Sequence, residues 1–338
     1  MRALLRGPLL SFLALAGAGI LATDAAASSF RIATLAPPHS TWVKVFRQIA
    51  NAVRKATRGA VRFRFVQSEE GDETRIAERL AQGELQGAAL TAIGLTKLQP
   101  ALVVQQLPML FRSYQELDCL RERMNARFDG LMAEKGYIVL GYGDVGFVHV
   151  FTQKPVRTPE DLQDVKMWAW PEDLVGRRVQ ALTGLTQVPL SPGEVLEALK
   201  SGAVNAYYAS PYAALAMQWF TKTRYFVNVR MAMAVGAIVV SKAAWGTLSE
   251  AQQERVLRTT HRWSKRLAQQ IRRDNERALR VLRQQGIEQV RLTPGEYSLW
   301  LSIAEKVQKH FVGQLYSQEL LDEVKATVRA CREAKSGK

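Results

Sequence analysis

The sequence predicts an α/β fold in two lobes, with mainly parallel central sheets and a long helix bridging the lobes. Strands and helices alternate as far as Ala92, the pattern of a mainly parallel sheet with helices on both faces. The length points the same way. About 310 residues beyond the N-terminal leader exceed one typical domain, and an apolar share of 47% is ample for a globular core. Finally, one amphipathic pattern from Glu250 to Gln285 would span roughly 50 Å as a helix, longer than one lobe.

Taken in order, Phe30 to Leu35 read as a first strand that stops at Pro37-Pro38. A helix then starts at His39-Ser40. Trp42, Val45, Phe46, Ile49 and Val53 recur on one face of it through Ala56, and Gly59 closes it. Val61 to Val66 alternate as a second strand. Thr74 to Gln82 form a short helix stopped by Gly83, and Leu85 to Ala92 form a small-residue strand. Thr158, Ser191, Ser249 and Thr293 each stand three residues before an acid or amide, which predicts four capped helix starts. In three of them proline occupies the first helical position. The long helix carries Val256, Thr260, Trp263, Leu267, Ile271, Leu279 and Leu282 on its less polar stripe, and arginines crowd its other face.

The N-terminus predicts export. Arg2 and Arg6 precede an apolar run from Leu9 to Leu21, which ends in Ala25-Ala26-Ala27 before Ser28. The run is shorter than the roughly 20 residues of a spanning helix. A secretory leader over residues 1–27, cleaved after Ala27, is therefore the expectation over a membrane anchor, and the mature chain is expected in the periplasm. No cysteine near the cleavage site invites a lipid anchor. The formal net charge is +15. Export argues against nucleic acid as the partner, and the charge is spread along amphipathic helices, as on a solvated basic face. Cys119 and Cys331 are the only cysteines; an oxidising compartment permits them to pair, and two free thiols are equally compatible with the sequence.

No catalytic chemistry is legible. His39, His149, His261 and His310 fall in separate elements without metal-ligand spacing, and nucleophile elbows, phosphate-cradling glycine loops and zinc-protease motifs are absent. The adjacent acids Glu69-Glu70 and Glu172-Asp173 do not make a dyad. Neither an enzyme nor a cofactor or metal is expected. Binding has more support. Residues 141–151, 165–170 and 206–208 are short strand ends and turns rich in aromatic side chains, and parallel α/β sheets place ligand crevices at the carboxyl ends of their strands.

The order of these motifs is similar to that of a known family. Pro37-Pro38-His39-Ser40 follows the first strand, then come the Thr57-Arg58-Gly59 turn, Gln99-Pro100, and Leu107 to Phe111 (LPMLF). The strongest stretches are Lys154 to Met167 (KPVRTPEDLQDVKM) and Pro189 to Asn205 (PLSPGEVLEALKSGAVN). Over nearly all of its mature length the chain resembles the solute-binding proteins of tripartite ATP-independent periplasmic (TRAP) transporters. The resemblance implies a two-lobed periplasmic-binding-protein-like fold of type II-like form, closing on a solute that it presents to TRAP-type integral membrane subunits. It divides the chain into lobe I (28–148 and 235–262), lobe II (149–234 and 280–315), the bridging helix (250–285) and a C-terminal helix and tail (316–338).

One departure bears on the ligand. Members of the family usually follow Lys-Met with an arginine that grips a solute carboxylate; here that position is Trp168, followed by Ala169, Trp170 and Pro171. Asn205 stands where an aspartate is common, and Tyr207-Tyr208 come close behind it. The expected solute is therefore hydrophobic or amphipathic. A subset of the family that is similar in lacking the arginine works with a tetratricopeptide-repeat partner, so the resemblance implies one here. Trp168 and Trp170 share side-chain parity on a strand and should face the same way, as cleft wall or as core. Tyr207 and Tyr208 point oppositely, so at most one lines the cleft. Phe147, Trp42, Asn205 and Glu70 complete the candidate set. Arg75 or Arg177 reaching into the cleft would restore binding of a small carboxylate. A ligand-sensing or lipid-traffic adaptor on the same fold is the alternative function, and a basic envelope-surface binder a third.

Overall fold

The computed structural model describes residues 27–68 and 71–336. The leader up to residue 26 and Glu70 lie outside the described residues. In β1 (Ser28–Thr34) Phe30 and Ile32 point inward and Arg31 outward. After α1 (Thr41–Ala56), β2 (Val61–Gln67) repeats this alternation and pairs with β1 in parallel along its whole length. Helix α1 buries Trp42, Val45, Phe46, Ile49 and Val53, the face its periodicity predicts. Next come α2 (Glu73–Ala81), β3 (Gly87–Thr91), α3 (Ala92–Leu98), a 3-10 segment at Pro100–Gln106 and α4 (Tyr114–Glu134).

The chain then runs through β4 (Tyr137–Thr152), β5 (Lys166–Ala169), α5 (Leu174–Thr183), β6 (Thr186–Pro189), α6 (Val195–Ser201), β7 (Ala206–Ala209), α7 (Pro211–Ala216) and β8 (Tyr225–Val227). It returns through β9 (Ala232–Ser241), α8 (Lys242–Trp245), α9 (Glu250–Gln284), β10 (Glu288–Val290), α10 (Pro294–His310) and α11 (Gln318–Ser336). The strand order is β2-β1-β3-β9-β4-β7-β5-β6, with β8 and β10 attached beside β4. Each lobe has a parallel wing, β2-β1-β3 in the first and β7-β5-β6 in the second. Two antiparallel strands, β4 and β9, join the wings.

Strand β4 is the backbone of this arrangement. Its 16 residues pair with β9 from Tyr137 to Val148, then with β7 and β8 from His149 to Thr152. At about 3.3 Å per residue it is long enough to serve both lobes. Bulges interrupt its pairing between Val139 and Gly141 and between Asp144 and Gly146. The 35-residue α9 lies against it. A Cβ on Gly141 would collide with the Ser264 side chain, and one on Gly146 (φ +125°) with Asn275. The contact stripe of α9 is consequently more polar than its apolar periodicity suggests. Thr260, Ser264, Asp274 and Asn275 are buried, whereas Trp263 and Leu279 are only partly so. Asn275 donates to the Val145 carbonyl at 3.0 Å and accepts from the Tyr212 N–H, so it ties the bulge to α7.

One expectation needs correction. Ser191 does not cap a helix: Glu194 accepts its N–H and hydroxyl in a turn, and α6 begins at Val195. In the C-terminal helix α11, Leu320, Leu321, Val324 and Val328 join the core that holds Leu117, Leu120 and Met124 of α4. Helix α10 contributes to two core clusters: Trp300 and Ala304 pack in one, Val307 and Phe311 in another.

The cysteines pair. Cys119 on α4 is bonded to Cys331 on α11, with Cα atoms 6.0 Å apart and 212 positions between them. Closing so long a loop restricts the unfolded chain, and its loss costs about 2–4 kcal/mol. The double substitution Cys119→Ser/Cys331→Ser should lower the thermal midpoint, and reductant should lower that of the wild type but not of the variant. His149 gives a second test. Its Nδ1 lies 3.1 Å from the Val227 carbonyl oxygen inside β4, and burial pushes its pKa down to about 4. As pH falls from about 6.5 towards 4 the unfolded chain takes up the proton first, so this group's contribution to stability is lost across that window. His149→Asn should flatten the pH dependence of the unfolding free energy there by up to about 1.4 kcal/mol per pH unit, read by denaturant titration; an unchanged slope would mean another group sets it.

Candidate functional site

A cavity of about 370 Å³ lies where the carboxyl ends of β1, β3, β5 and β7 meet the middle of β4 and β9. The second lobe supplies an aromatic wall. Strand β5 lies between β7 and β6; its first residue, Lys166, is exposed, and Met167, Trp168 and Ala169 are all buried. Trp168 is only 2% exposed. Its indole N–H donates to the Leu190 carbonyl at 2.8 Å, and its ring meets Trp219 edge-on at 4.8 Å and Tyr208 face-on at 5.4 Å. Trp170, 5.5 Å from Trp168, is only partly buried and carries the wall towards the opening.

Tyr208 fixes this wall to the next helix. Its hydroxyl donates to the Asp173 carboxylate, which also accepts the Gly176 N–H at 2.8 Å and so caps α5. Burial pushes both groups up, Tyr208 far above the usual phenol range. Helix α5 turns Leu174, Val175, Val179 and Leu182 towards the first lobe's core, so it reaches across between the lobes.

In the first lobe, Trp42 lines the cavity, donates from its indole to the Asp144 carbonyl at 3.2 Å and packs on Tyr212 at 5.0 Å. Glu73 closes the start of α3, accepting the N–H groups of Thr91 and Gly94 and the Thr91 hydroxyl at 2.7–3.0 Å. Burial raises its pKa against the pull of these bonds. The Asp144 side chain is fully buried between Arg121 of α4 and Arg272 of α9, each at 2.6 Å. Among the described residues that line the cavity there is no lysine, arginine or histidine.

The structure therefore brings Trp168, Trp170, Tyr208 and Trp42 to one cavity and leaves other candidates outside its lining. Tyr207 occupies the opposite face of β7, stacked on Phe151 at 4.9 Å, as strand parity demands. Phe147 packs on Tyr114 at 4.8 Å under the Arg230 guanidinium in the first lobe's core. Asn205 bridges the Lys166 N–H and the Asp164 carbonyl, which joins the starts of β5 and β7. Arg75 is exposed on α2, and Arg177 is exposed with its guanidinium on the Pro171 carbonyl, so neither lines the cavity. Sequence reasoning missed Trp219, Trp300 and the four methionines 109, 167, 217 and 231, whose place at the cavity follows only from long-range packing. Asp173 carried a readable signal, an acid directly before a helical segment.

Two α/β lobes joined by crossing strands around a central cavity define a two-lobed solute receptor. Residues 32–314 match the family described as bacterial extracellular solute-binding protein, family 7. The chain belongs to that family and is a TRAP-type solute-binding protein; proteins of this family are periplasmic receptors rather than enzymes, and deliver small solutes to membrane subunits. It is similar to a solute-binding protein of Chromohalobacter salexigens, with 25% identity over 239 residues that cover 70% of this chain and 71% of the relative. Its fold is similar to that of a TRAP periplasmic solute-binding protein from Ralstonia eutropha H16 with bound (S)-2-acetolactate. The TM-score is 0.83 at 22% identity, over 90% of this chain and 99% of that one. A TRAP periplasmic solute-binding protein from Desulfovibrio salexigens with bound orotic acid gives a TM-score of 0.82 at 17% identity, over 90% and 99% of the two chains.

The two tryptophans should separate in experiment. Trp168→Ala removes packing against Trp219 and Tyr208, and should cost about 3–5 kcal/mol of stability in denaturant titration. Trp170→Ala, at a half-buried position, should cost far less. Equal losses would mean that the two indoles carry the fold alike.

Proposed function

We propose that this protein is an extracytoplasmic receptor that closes around a hydrophobic or amphipathic solute and hands it to a TRAP-type membrane carrier. By resemblance, the proposal includes a tetratricopeptide-repeat partner in the periplasm. The observation that carries it is the apolar, aromatic lining, in which no described residue is a lysine, arginine or histidine. A carboxylate taken out of water without a partner costs several kcal/mol. Apolar ligand surface placed on the same wall gains roughly 25 cal/mol per Å². The acetolactate and orotate found in the two similar structures are small acids. In this chain the position where the family usually holds a carboxylate-gripping arginine is a buried indole, and the arginines nearest in sequence lie outside the lining.

The reading is tested by mass spectrometry of organic extracts from gently purified, exported protein. Apolar or amphipathic molecules should be recovered, and Trp170→Ala should reduce their yield. Recovery of small carboxylates alone, bound with an affinity that survives both Trp168→Ala and Trp170→Ala, would overturn it.

A further inference from the structure

We propose that the cleft also selects by head-group charge: it takes amphiphiles with an uncharged or cationic head and refuses anionic ones. This rests on the apolar-ligand reading and adds the head group to it. Glu73, Asp144 and Asp173 are the carboxylic acids that line the cavity among the described residues, beside the Tyr208 phenol and no basic side chain. Two arginines stand close, but both lie outside the lining. Arg121 directs its guanidinium to Asp144 and the Gly143 carbonyl, and Arg272 to Asp144 and Asp118. They balance Asp144 and Asp118, and neither guanidinium belongs to the cavity lining.

Glu73 and Asp173 have no such counter-ion in the wall. The partners of Glu73 are backbone N–H groups and one hydroxyl; those of Asp173 are a phenol and a backbone N–H. The nearby Arg177 is exposed and turned to the Pro171 carbonyl and Glu172. Both acids are buried, which favours their neutral forms; when ionised they act on a ligand through their field, which a low-dielectric wall screens far less than water does. An anionic head would enter without a partner cation and against that field. A cationic head would meet the field favourably and could rest on the faces of Trp170, Tyr208 or Trp42.

The tail has its own signature. Met109, Met167, Met217 and Met231 all line the cavity, and unbranched thioethers adapt to flexible chains of differing length. The cleft thus suits an aliphatic tail loosely and a head group strictly by sign.

Three probes with one tail test this on the wild-type protein at pH 8, below their micelle concentrations. They are decyltrimethylammonium, 1-decanol and decanoate, measured by calorimetry and by intrinsic tryptophan fluorescence. Decyltrimethylammonium and decanol should each bind at least about tenfold more tightly than decanoate. Glu73→Gln and Asp173→Asn should narrow the gap between decyltrimethylammonium and decanoate. Decanoate binding as tightly as the other two would overturn head-group selection while leaving the apolar-ligand reading intact. Failure of all three probes to bind would overturn that reading, and head-group selection with it.

Discussion

The two-lobed arrangement depends on one buried carboxylate. Asp144 sits in the middle of β4, within the stretch that pairs with β9 and a few residues before the stretch that reaches β7 and β8. Its side chain receives Arg121 from α4 and Arg272 from α9, and its backbone carbonyl receives the Trp42 indole from α1. Arg272 also holds Asp118 through two bonds of 2.6 and 2.7 Å, so two acids face two guanidiniums and the group is electrically balanced. Removing one member of a buried ion pair leaves an uncompensated charge, so this network stands or falls as a unit. Its main consequence is register. A slip of one residue in β4 would turn Asp144 to the other face and leave both guanidiniums without it.

The same few residues make β4 able to cross. Glycines at 141 and 146 remove the side chains that would hold α9 away, and bulges at 139–141 and 144–146 let the strand change direction without losing its neighbours. Asn275 fills the gap at the second bulge with hydrogen bonds to backbone groups of β4, α9 and α7. A polar stripe on a long bridging helix is therefore what this crossing requires. A purely apolar stripe would pack more tightly but would leave the Val145 carbonyl and the Tyr212 N–H without partners.

Local pattern made part of the fold legible. The spacing in α1 named its five core residues, and the caps at Ser249 and Thr293 marked helices that exist as expected. Strand parity placed Tyr207 and Tyr208 on opposite faces. Whatever depended on distant partners was not legible. The glycines that allow β4 to cross read in sequence as the boundary between two separate β-regions. Nothing local marks Asp144, because its guanidiniums come from 23 positions before it and 128 after. Phe147 and Asn205 carried the right chemistry for a cleft, but other elements claim their side chains. No local pattern could have placed Met109 and Met231 on the same wall, where the Met109 N–H donates to the Met231 carbonyl.

The chemistry at Trp168 involves more than one position. The indole sits in the second lobe's core with Trp219, Tyr207 and Phe151, and its N–H satisfies a carbonyl of the following segment. An arginine there would have to displace that packing and leave the Leu190 carbonyl without its present donor. The aromatic neighbours, the Tyr208–Asp173 bond and the cap of α5 all sit around the indole or next to it. The chemistry of the cavity is in that sense a property of how the lobe folds. A sequence change that altered its charge would have to rebuild the wall that positions α5 between the lobes.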